Sequence, residues 1–243
     1  MNIKANKWLL IATGAFLSIE ALLGFLLQTA HGRAVAIYSY ASILLACTFC
    51  AVLALKSRAY LFTQLGLLFT AGADFFLVYL PVARQLPAMI LFSFTQLCYF
   101  ARLLADDSCK KRRYVHVYCR VGACALALLL TALVLGGTAD ALAMVSMFYY
   151  ANLVLNIVFA FLLAERPPLF AIALMLFLCC DTLIGLSFLN AYFSIPEGSF
   201  IYRIIHPGFN LAWAFYLPSQ ALIAISLLPK RLQGARNEDH LSS

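Results

Sequence analysis

The sequence predicts an all-α integral membrane protein, and three observations lead to this fold class. Hydrophobic residues make up 64% of the 243 residues and charged residues only 11%, whereas soluble globular domains are roughly 25% charged. Apolar runs recur along the whole chain, each about 20 residues long, which is enough for a helix to cross a hydrocarbon core of about 30 Å. Most of these runs are separated only by short polar or Pro/Gly-containing segments. We therefore predict an eight-helix transmembrane bundle.

Each predicted span is an apolar run bounded by residues that interrupt hydrophobic helices. In chain order the spans are 8–28, 34–55, 59–82, 86–104, 114–136, 139–164, 168–190 and 208–229. Two of the connections are longer than the others, the basic segment 101–113 and the segment 190–207. We expect a single membrane domain over 1–229 and a short charged tail over 230–243. The first run lacks a small-residue cleavage site, so we expect an uncleaved first span.

The basic residues predict the orientation of these spans. Thirteen of the seventeen Lys and Arg lie on the side of the two termini, and three lie in the opposite connections, at Arg33, Arg84 and Arg203. Basic residues concentrate on the cytoplasmic side of membrane proteins, so we expect both termini of this multi-pass cell-membrane protein to be cytoplasmic. Arg120, within the fifth run, is expected to extend back to the basic end. The net charge of +7 then suits anionic lipid and requires no nucleic-acid partner.

The cysteines and short motifs identify no metal or cofactor site. Seven of the eight cysteines lie in predicted spans, where a free thiol packs as a small apolar side chain. The segment "CTFC" (47–50) has C-x-x-C spacing but no second pair. The sequence contains no Gly-rich phosphate loop, H-E-x-x-H or G-x-S-x-G motif. We therefore expect no cofactor, no metal and no disulfide framework.

Three acidic residues lie inside predicted spans, Glu20, Asp74 and Asp181. A charge near the bilayer centre costs about 3 kcal/mol or more, so such residues usually face the bundle interior and often have a function. The alternative is a structural carboxyl that holds two helices together by hydrogen bonding; for Glu20 both interpretations remain open. Asp74 and Asp181 differ because each lies about 14 residues into its span, and the third and seventh spans run in the same direction.

The span after each aspartate contains a glutamine, so the chain divides into two four-helix halves. Gln96 follows Asp74 by 22 residues, and Gln220 follows Asp181 by 39. The difference corresponds to the longer connection in the second half. A same-direction repeat predicts a pseudo-two-fold axis along the membrane normal, with polar sites near the interface of the repeats. We predict that both aspartates line one cavity in the outer half of the membrane.

Other polar residues at helical spacing could line the same cavity. They are Thr63 and Thr70 on the third span, Gln96 and Tyr99 on the fourth, Tyr149, Asn152 and Asn156 on the sixth, and Asn210, Trp213 and Gln220 on the eighth. Singly, Asn and Gln often serve as interhelical hydrogen-bonding groups worth about 1 kcal/mol. Four spans with polar faces, together with the acids, predict a functional site.

Two segment pairs carry a resemblance to a known family. "LGLLFTAGADFFLVYL…SFTQLCYF" is similar to a span pair of the YhhN-like lysoplasmalogenase family, in which Gly-Asp is followed by a helix with His-x-x-Tyr. "LFLCCDTLIGLSFL…WAFYLPSQALIAIS" resembles the family's second signature, a Ser-Asp span followed by a helix with Tyr and Gln. The resemblance implies that Asp74 and Asp181 are catalytic. The substrate-binding residues expected from the resemblance and the polar faces together are Gln96, Tyr99, Asn152, Asn210, Tyr216 and Gln220.

The chain departs from the family pattern at three places. Gln96 stands at the position of the family histidine, which removes a group that could titrate near neutral pH. Gly72 is one residue farther from Asp74 than the family's Gly-Asp requires. The Lys-Pro at the start of the family's second span is absent here.

The activity implied by the resemblance is hydrolysis of the vinyl ether bond of a lysoplasmalogen. The products are a fatty aldehyde and a glycerophospho-ethanolamine or -choline. The β-carbon is protonated, water captures the resulting oxocarbenium ion, and the hemiacetal collapses. This chemistry requires a general acid that keeps its proton near pH 7 and a second carboxylate, as in two-carboxylate glycosidases. The implied partners are a lysophospholipid substrate and the lipid bilayer.

Two other interpretations remain open. A transporter or lipid-binding membrane protein would use the same buried acids for proton or cation coupling. In a purely structural membrane protein, the carboxyls would only hold helices together. A closed-ended cavity would favour the hydrolase, and a path that reaches both membrane faces would favour the transporter.

Overall fold

The computed structural model of the protein describes residues 3–53, 57–163, 168–188, 196–205 and 211–228. The long helices are α1 (Ile3–Thr29), α2 (Arg33–Leu53), α3 (Arg58–Asp74), α4 (Gln85–Asp106), α5 (Lys110–Leu135), α6 (Ala141–Leu163) and α7 (Leu169–Phe188). The shorter elements are a π-helix (Phe75–Tyr79), a 3₁₀ turn (Gly136–Thr138), α8 (Phe200–Ile205) and α9 (Leu211–Ile225). These described segments contain no β-strand.

Seven of the helices are long and apolar enough to cross a membrane, and α9 is a shorter apolar helix of 15 residues. Large apolar side chains such as Trp8, Phe25 and Leu133 are more than two-thirds exposed. Exposed apolar surface on this scale indicates that the helices are solvated by lipid. The protein is a multi-pass, all-α membrane protein, which confirms the predicted class at this level.

Several predicted boundaries are wrong. The basic connection predicted at 101–113 is only three residues long, 107–109, because Asp107 closes the turn. Its carboxylate accepts hydrogen bonds from Cys109 N (2.8 Å) and from Arg112 Nε (2.7 Å) and Nη2 (2.8 Å). These bonds, above all those from Arg112, hold the pKa of Asp107 below its usual value. The connection predicted at 190–207 contains α8.

The ends of two further spans also differ from the prediction. The third span, predicted to reach residue 82, is helical only to Tyr79, and Leu80 is already extended. The last span, predicted to reach residue 229, is helical only to Ile225, and a turn follows over 226–228. Pro218 lies inside this helix. The tail predicted at 230–243 lies outside the described residues.

The contacts between helices define the core of the bundle. Helix α3 packs along α4, and α7 packs along α9, while α4 also contacts α6 and α2 contacts α9. The buried core is formed mainly by these six helices. Helices α1 and α5 lie at the periphery, since most of their residues are not buried. The two aspartates are on α3 and α7, so they lie within the central packing.

Arg102 ties the central helices together at the end opposite Asp74. Its Nη1 donates to Thr63 Oγ1 of α3 (3.1 Å) and to Ser226 Oγ beyond α9 (2.9 Å). Its guanidinium lies over the Phe170 ring of α7, 3.7 Å from the ring centre. This contact set fixes the relative positions of α3, α4, α7 and α9, and thereby of the residues farther along them.

Candidate functional site

Asp74 is the last residue of α3 and is only 3% exposed. The chain continues as a π-helix, in which Leu80 N donates to Phe75 O (3.1 Å). Single π-helical turns are frequent at functional sites. The Asp74 carboxyl accepts a hydrogen bond from the hydroxyl of Tyr216 on α9. A residue of the third helix and a residue of the last helix are therefore joined inside the bundle.

Asp181 on α7 forms a second pair of the same kind. Its carboxyl accepts a hydrogen bond from the hydroxyl of Tyr149 on α6. Tyr149 is buried, whereas Asp181 is half-buried. The next residue, Thr182, is hydrogen-bonded to the Tyr150 hydroxyl (3.0 Å). Asp181 is therefore more exposed than Asp74.

The two aspartate–tyrosine pairs form one site. Asp74 and Asp181 lie close enough to interact electrostatically, and Tyr216 interacts with both of them. Phe177 links the pairs, because its ring lies 5.9 Å from that of Tyr216 and 6.0 Å from that of Phe92. The Phe92 ring in turn lies 5.7 Å from Tyr149. The structure therefore brings together the two predicted catalytic residues and a shared aromatic wall.

The predicted substrate-binding residues divide between this site and other places. Gln220 follows Tyr216 by one turn; its Nε2 donates to Ser219 Oγ (3.1 Å), and its Oε1 has no partner among the described residues. Tyr99 is fully buried beside Thr70 and lies within electrostatic range of Tyr149, the partner of Asp181. Asn210 lies outside the described residues.

The remaining two predicted substrate-binding residues belong to a second polar group, which we term the arginine cluster: Arg120, His116, Asn152, Asn156 and Gln96. Arg120 Nη1 donates to Asn152 Oδ1 (2.5 Å), and its Nη2 donates to Asn156 Oδ1 (2.7 Å). Asn156 Nδ2 donates to Gln96 Oε1 (2.9 Å). The expectation that Arg120 extends back to the basic end is wrong, because two amide oxygens of α6 bind it inside the bundle.

Glu20 lies in a separate place. It is 5% exposed, and its Oε2 accepts a hydrogen bond from Ser42 Oγ of α2 (2.7 Å). Its Oε1 has no partner among the described residues. This contact joins α1 to α2 and fits the interpretation of a carboxyl that holds two helices together.

The sequence interpretation missed a group of residues on the side of Asp74 that leads to the surface. Tyr40 of α2 lies within electrostatic range of Asp74, and its ring is 4.8 Å from that of Tyr79. The exposed Arg33 places its guanidinium 5.0 Å from the centre of the Tyr79 ring. Arg33 and Tyr40 are seven residues apart on α2, which is two helical turns. That spacing was the signal that could have identified them.

The chemistry available at the site is that of two carboxyls and two phenols. Among the described residues, no group of three or more His, Cys, Asp and Glu is arranged to hold a metal ion. Two interacting carboxyls are a common arrangement for one proton donor and one charged base. Comparisons with family models, with curated proteins and with solved structures give no match.

Proposed function

We propose that the protein is a lysoplasmalogenase-like hydrolase that cleaves the vinyl ether bond of lysoplasmalogens. The observation that carries the proposal is the pair of interacting aspartates, Asp74 and Asp181, each hydrogen-bonded by a tyrosine within a membrane bundle. The products are a fatty aldehyde and a glycerophospho-ethanolamine or -choline.

In this mechanism one carboxyl supplies the proton and the other activates water. Asp181 is the more exposed of the two, so water reaches it more readily and we assign it to water activation. Asp74 then transfers its proton to the β-carbon of the vinyl ether, and the α-carbon becomes part of an oxocarbenium ion. Water adds to that carbon while Asp181 takes up a proton. As the hemiacetal breaks, Asp181 returns that proton to the departing glycerol oxygen and Asp74 takes the proton of the hemiacetal hydroxyl, so aldehyde and alcohol are released and both carboxyls are restored. The carboxylate stabilises the cation, as in glycosidases.

The surroundings of the pair suit an amphiphilic substrate. The apolar bundle accommodates the alkenyl chain, and the aromatic wall of Phe92, Phe177 and Tyr216 lies beside the carboxyls. Arg33, stacked on Tyr79 at the surface, keeps its N–H donors for an anionic group. A guanidinium fork matches phosphate geometry, so we assign Arg33 to the headgroup phosphate. We assign Tyr216 and Gln220 to positioning of the glycerol ether.

The proposal includes eight crossings of the cell membrane in two four-helix halves, with both termini on the cytoplasmic side. The helix neighbours support the two halves, because the pairs α3–α4 and α7–α9 correspond, and so do α1–α2 and α5–α6. The basic residues support the orientation. A protease-cleavable tag after Ser243 should be cut only from the cytoplasmic side; cleavage only from outside intact cells would refute this topology.

The deciding experiment measures fatty aldehyde released by the purified protein from a lysoplasmalogen in nanodiscs. Asp74→Asn and Asp181→Asn keep size and hydrogen bonding but remove the exchangeable proton, so the rate should fall about 10²–10⁴-fold. The double variant should lose little more than the slower single one, because residues that act as a unit are not additive. Glu20→Gln is the control and should retain activity. Well-folded Asn variants that release aldehyde at the wild-type rate would disprove the mechanism.

A second candidate function is proton- or cation-coupled transport, which the corresponding helix pairs also favour because many transporters are built from internal repeats. Under this function the same aspartates would carry the coupling ion. If the wild-type protein releases no aldehyde, uptake into proteoliposomes under an imposed proton gradient distinguishes transport from a purely structural role.

A further inference from the structure

Arg120 is a buried charge deep within a helix of membrane-spanning length. It lies ten residues after Lys110, the first residue of α5, which at about 1.5 Å per residue places it about 15 Å along the helix. A hydrocarbon core is about 30 Å thick. Its side chain is only 6% exposed. Arginine does not lose its proton in proteins, so the cluster holds a full positive charge far from either end of α5.

Among the described residues, the groups that bind this guanidinium are neutral. Two are the amide oxygens of Asn152 and Asn156, and the third is His116 Nε2 at 3.1 Å from Nη2. Because arginine only donates hydrogen bonds, this Nε2 accepts, and the His116 proton is on Nδ1. The Phe100 ring lies 4.0 Å from the guanidinium carbon. In the described part of the chain, the ion pairs involve Arg102 and Arg112 but not Arg120.

The cluster also contains hydrogen-bond donors without acceptors. Arg120 Nε and Gln96 Nε2 are buried, and neither has a partner among the described residues. Both belong to one hydrogen-bonded chain, which runs from Arg120 Nη2 through Asn156 to Gln96 Oε1. A buried donor that lacks an acceptor destabilises the folded state. A ligand that satisfied these donors would accept hydrogen bonds, and one that compensated the guanidinium would carry negative charge.

We propose that the arginine cluster binds a small monovalent anion, either a halide or a short carboxylate. Such an anion satisfies an open donor of the cluster and neutralises the guanidinium, whereas a water molecule would satisfy a donor but leave the charge uncompensated. The exposed Lys110 and Lys111 at the start of α5 raise the local anion concentration at that end of the helix. His116 and Arg120 lie one turn apart on the buried face of α5. This site is separate from the aspartate pair and does not depend on the proposed hydrolase activity.

The test measures the thermal stability of the purified full-length protein at constant ionic strength. Sodium chloride and sodium acetate are compared with sodium gluconate, whose carboxylate is too bulky for a buried site. A ligand that binds only the folded state raises Tm in a concentration-dependent way. We expect a saturable rise of several degrees with chloride, acetate or both; chloride alone indicates a halide site and acetate alone a carboxylate site. Equal Tm values in all three salts would overturn the proposal.

A charge-supplying variant locates the effect. Gln96→Glu keeps the oxygen that accepts from Asn156 and replaces the open Nε2 donor with a charged oxygen. The variant should lose the anion-dependent shift, with a Tm in gluconate at or above that of the wild type. Gln64→Glu, on α3 outside the cluster, should retain the shift. If Gln96→Glu keeps the full shift, the anion binds elsewhere and the proposal fails.

A second variant covers the case in which Gln96→Glu does not fold. Asn156→Asp keeps the oxygen that accepts from Arg120 and places the negative charge directly on the guanidinium. It should abolish the anion-dependent shift in the same way. A folded Asn156→Asp variant with the wild-type response to chloride and acetate would overturn the proposal.

Discussion

Gly66→Ala is predicted to destabilise the protein, because α3 and α4 meet at this glycine with no room for a methyl group. A Cβ at Gly66 would lie 2.4 Å from Tyr99 Cε1, whereas ordinary contact begins at 3.4 Å. The ring or the helix would have to move by about 1 Å, the difference between these distances. Tyr99 is fully buried, and its ring packs edge-on against Phe170 (5.6 Å). The ring therefore has no free space to occupy.

The expected size of the effect follows from two opposing terms. Overpacking a tightly packed core costs about 1–3 kcal/mol, and replacement of a helical glycine by alanine returns about 0.5–1 kcal/mol. The midpoints of these ranges give a net loss of about 1 kcal/mol, which for a chain of this length lowers Tm by about 2–4 °C. The measurement is thermal unfolding of the purified protein in detergent.

Gly122→Ala on α5 is the matched control. A Cβ at Gly122 would meet no atom within 4 Å, so only the favourable helix term remains and Tm should stay the same or rise. The reasoning is refuted if Gly66→Ala is as stable as Gly122→Ala. That result would mean that the Tyr99 ring can leave its place at little cost.

Three further predictions concern the aspartate site, the α4–α5 turn and Glu20. Tyr216→Phe removes the hydrogen bond that stabilises the Asp74 carboxylate formed on proton transfer, worth about 1.5–3 kcal/mol, so aldehyde release should slow about 10- to 100-fold; an unchanged rate would exclude a role for the hydroxyl. Asp107→Asn removes a carboxylate whose pKa is lowered in the folded protein by its hydrogen bonds, above all those from Arg112. These bonds stabilise the fold fully above about pH 4, and the stabilisation is lost as pH falls through the folded pKa. The variant should therefore have a lower Tm than the wild type at pH 7, and the gap should close in acid; a constant gap would contradict this account. Glu20→Gln keeps the acceptor for Ser42 and should change unfolding free energy by about 1 kcal/mol or less, with aldehyde release as in the wild type; a large loss of activity would place Glu20 in the mechanism.

Seven of the predicted spans correspond to long apolar helices among the described residues, and they could be predicted because a bilayer leaves the chain few alternatives. Backbone groups in hydrocarbon must be hydrogen-bonded internally, so each long apolar run has to be helical. The predicted positions of the helix ends were less accurate, because local side-chain contacts determine where a helix ends. The predicted connection at 101–113 shrinks to three residues once Asp107 accepts from Cys109 N and Arg112. The pattern of apolar residues contains no signal for that contact.

The candidate site could be predicted in part. The rarity of acids in apolar runs identified Asp74 and Asp181, and their matched positions suggested one site. Their hydrogen-bond partners were not predicted. Helical spacing gives the face on which a side chain lies but not the helix that this face meets, so Tyr149 could not be assigned to Asp181 in advance.

By itself the sequence determined a multi-pass helical membrane protein with carboxyls in its apolar spans. Composition and run length suffice for this, because the bilayer requires every long apolar run to be a helix, whatever its neighbours. Only the tertiary structure decided what each polar side chain binds. Arg120 shows the difference: the same residue at the same position could extend to the basic end or turn inward. It turns inward because Asn152 and Asn156 of the neighbouring helix present two amide oxygens to it. Such a choice depends on the packing of one helix against another.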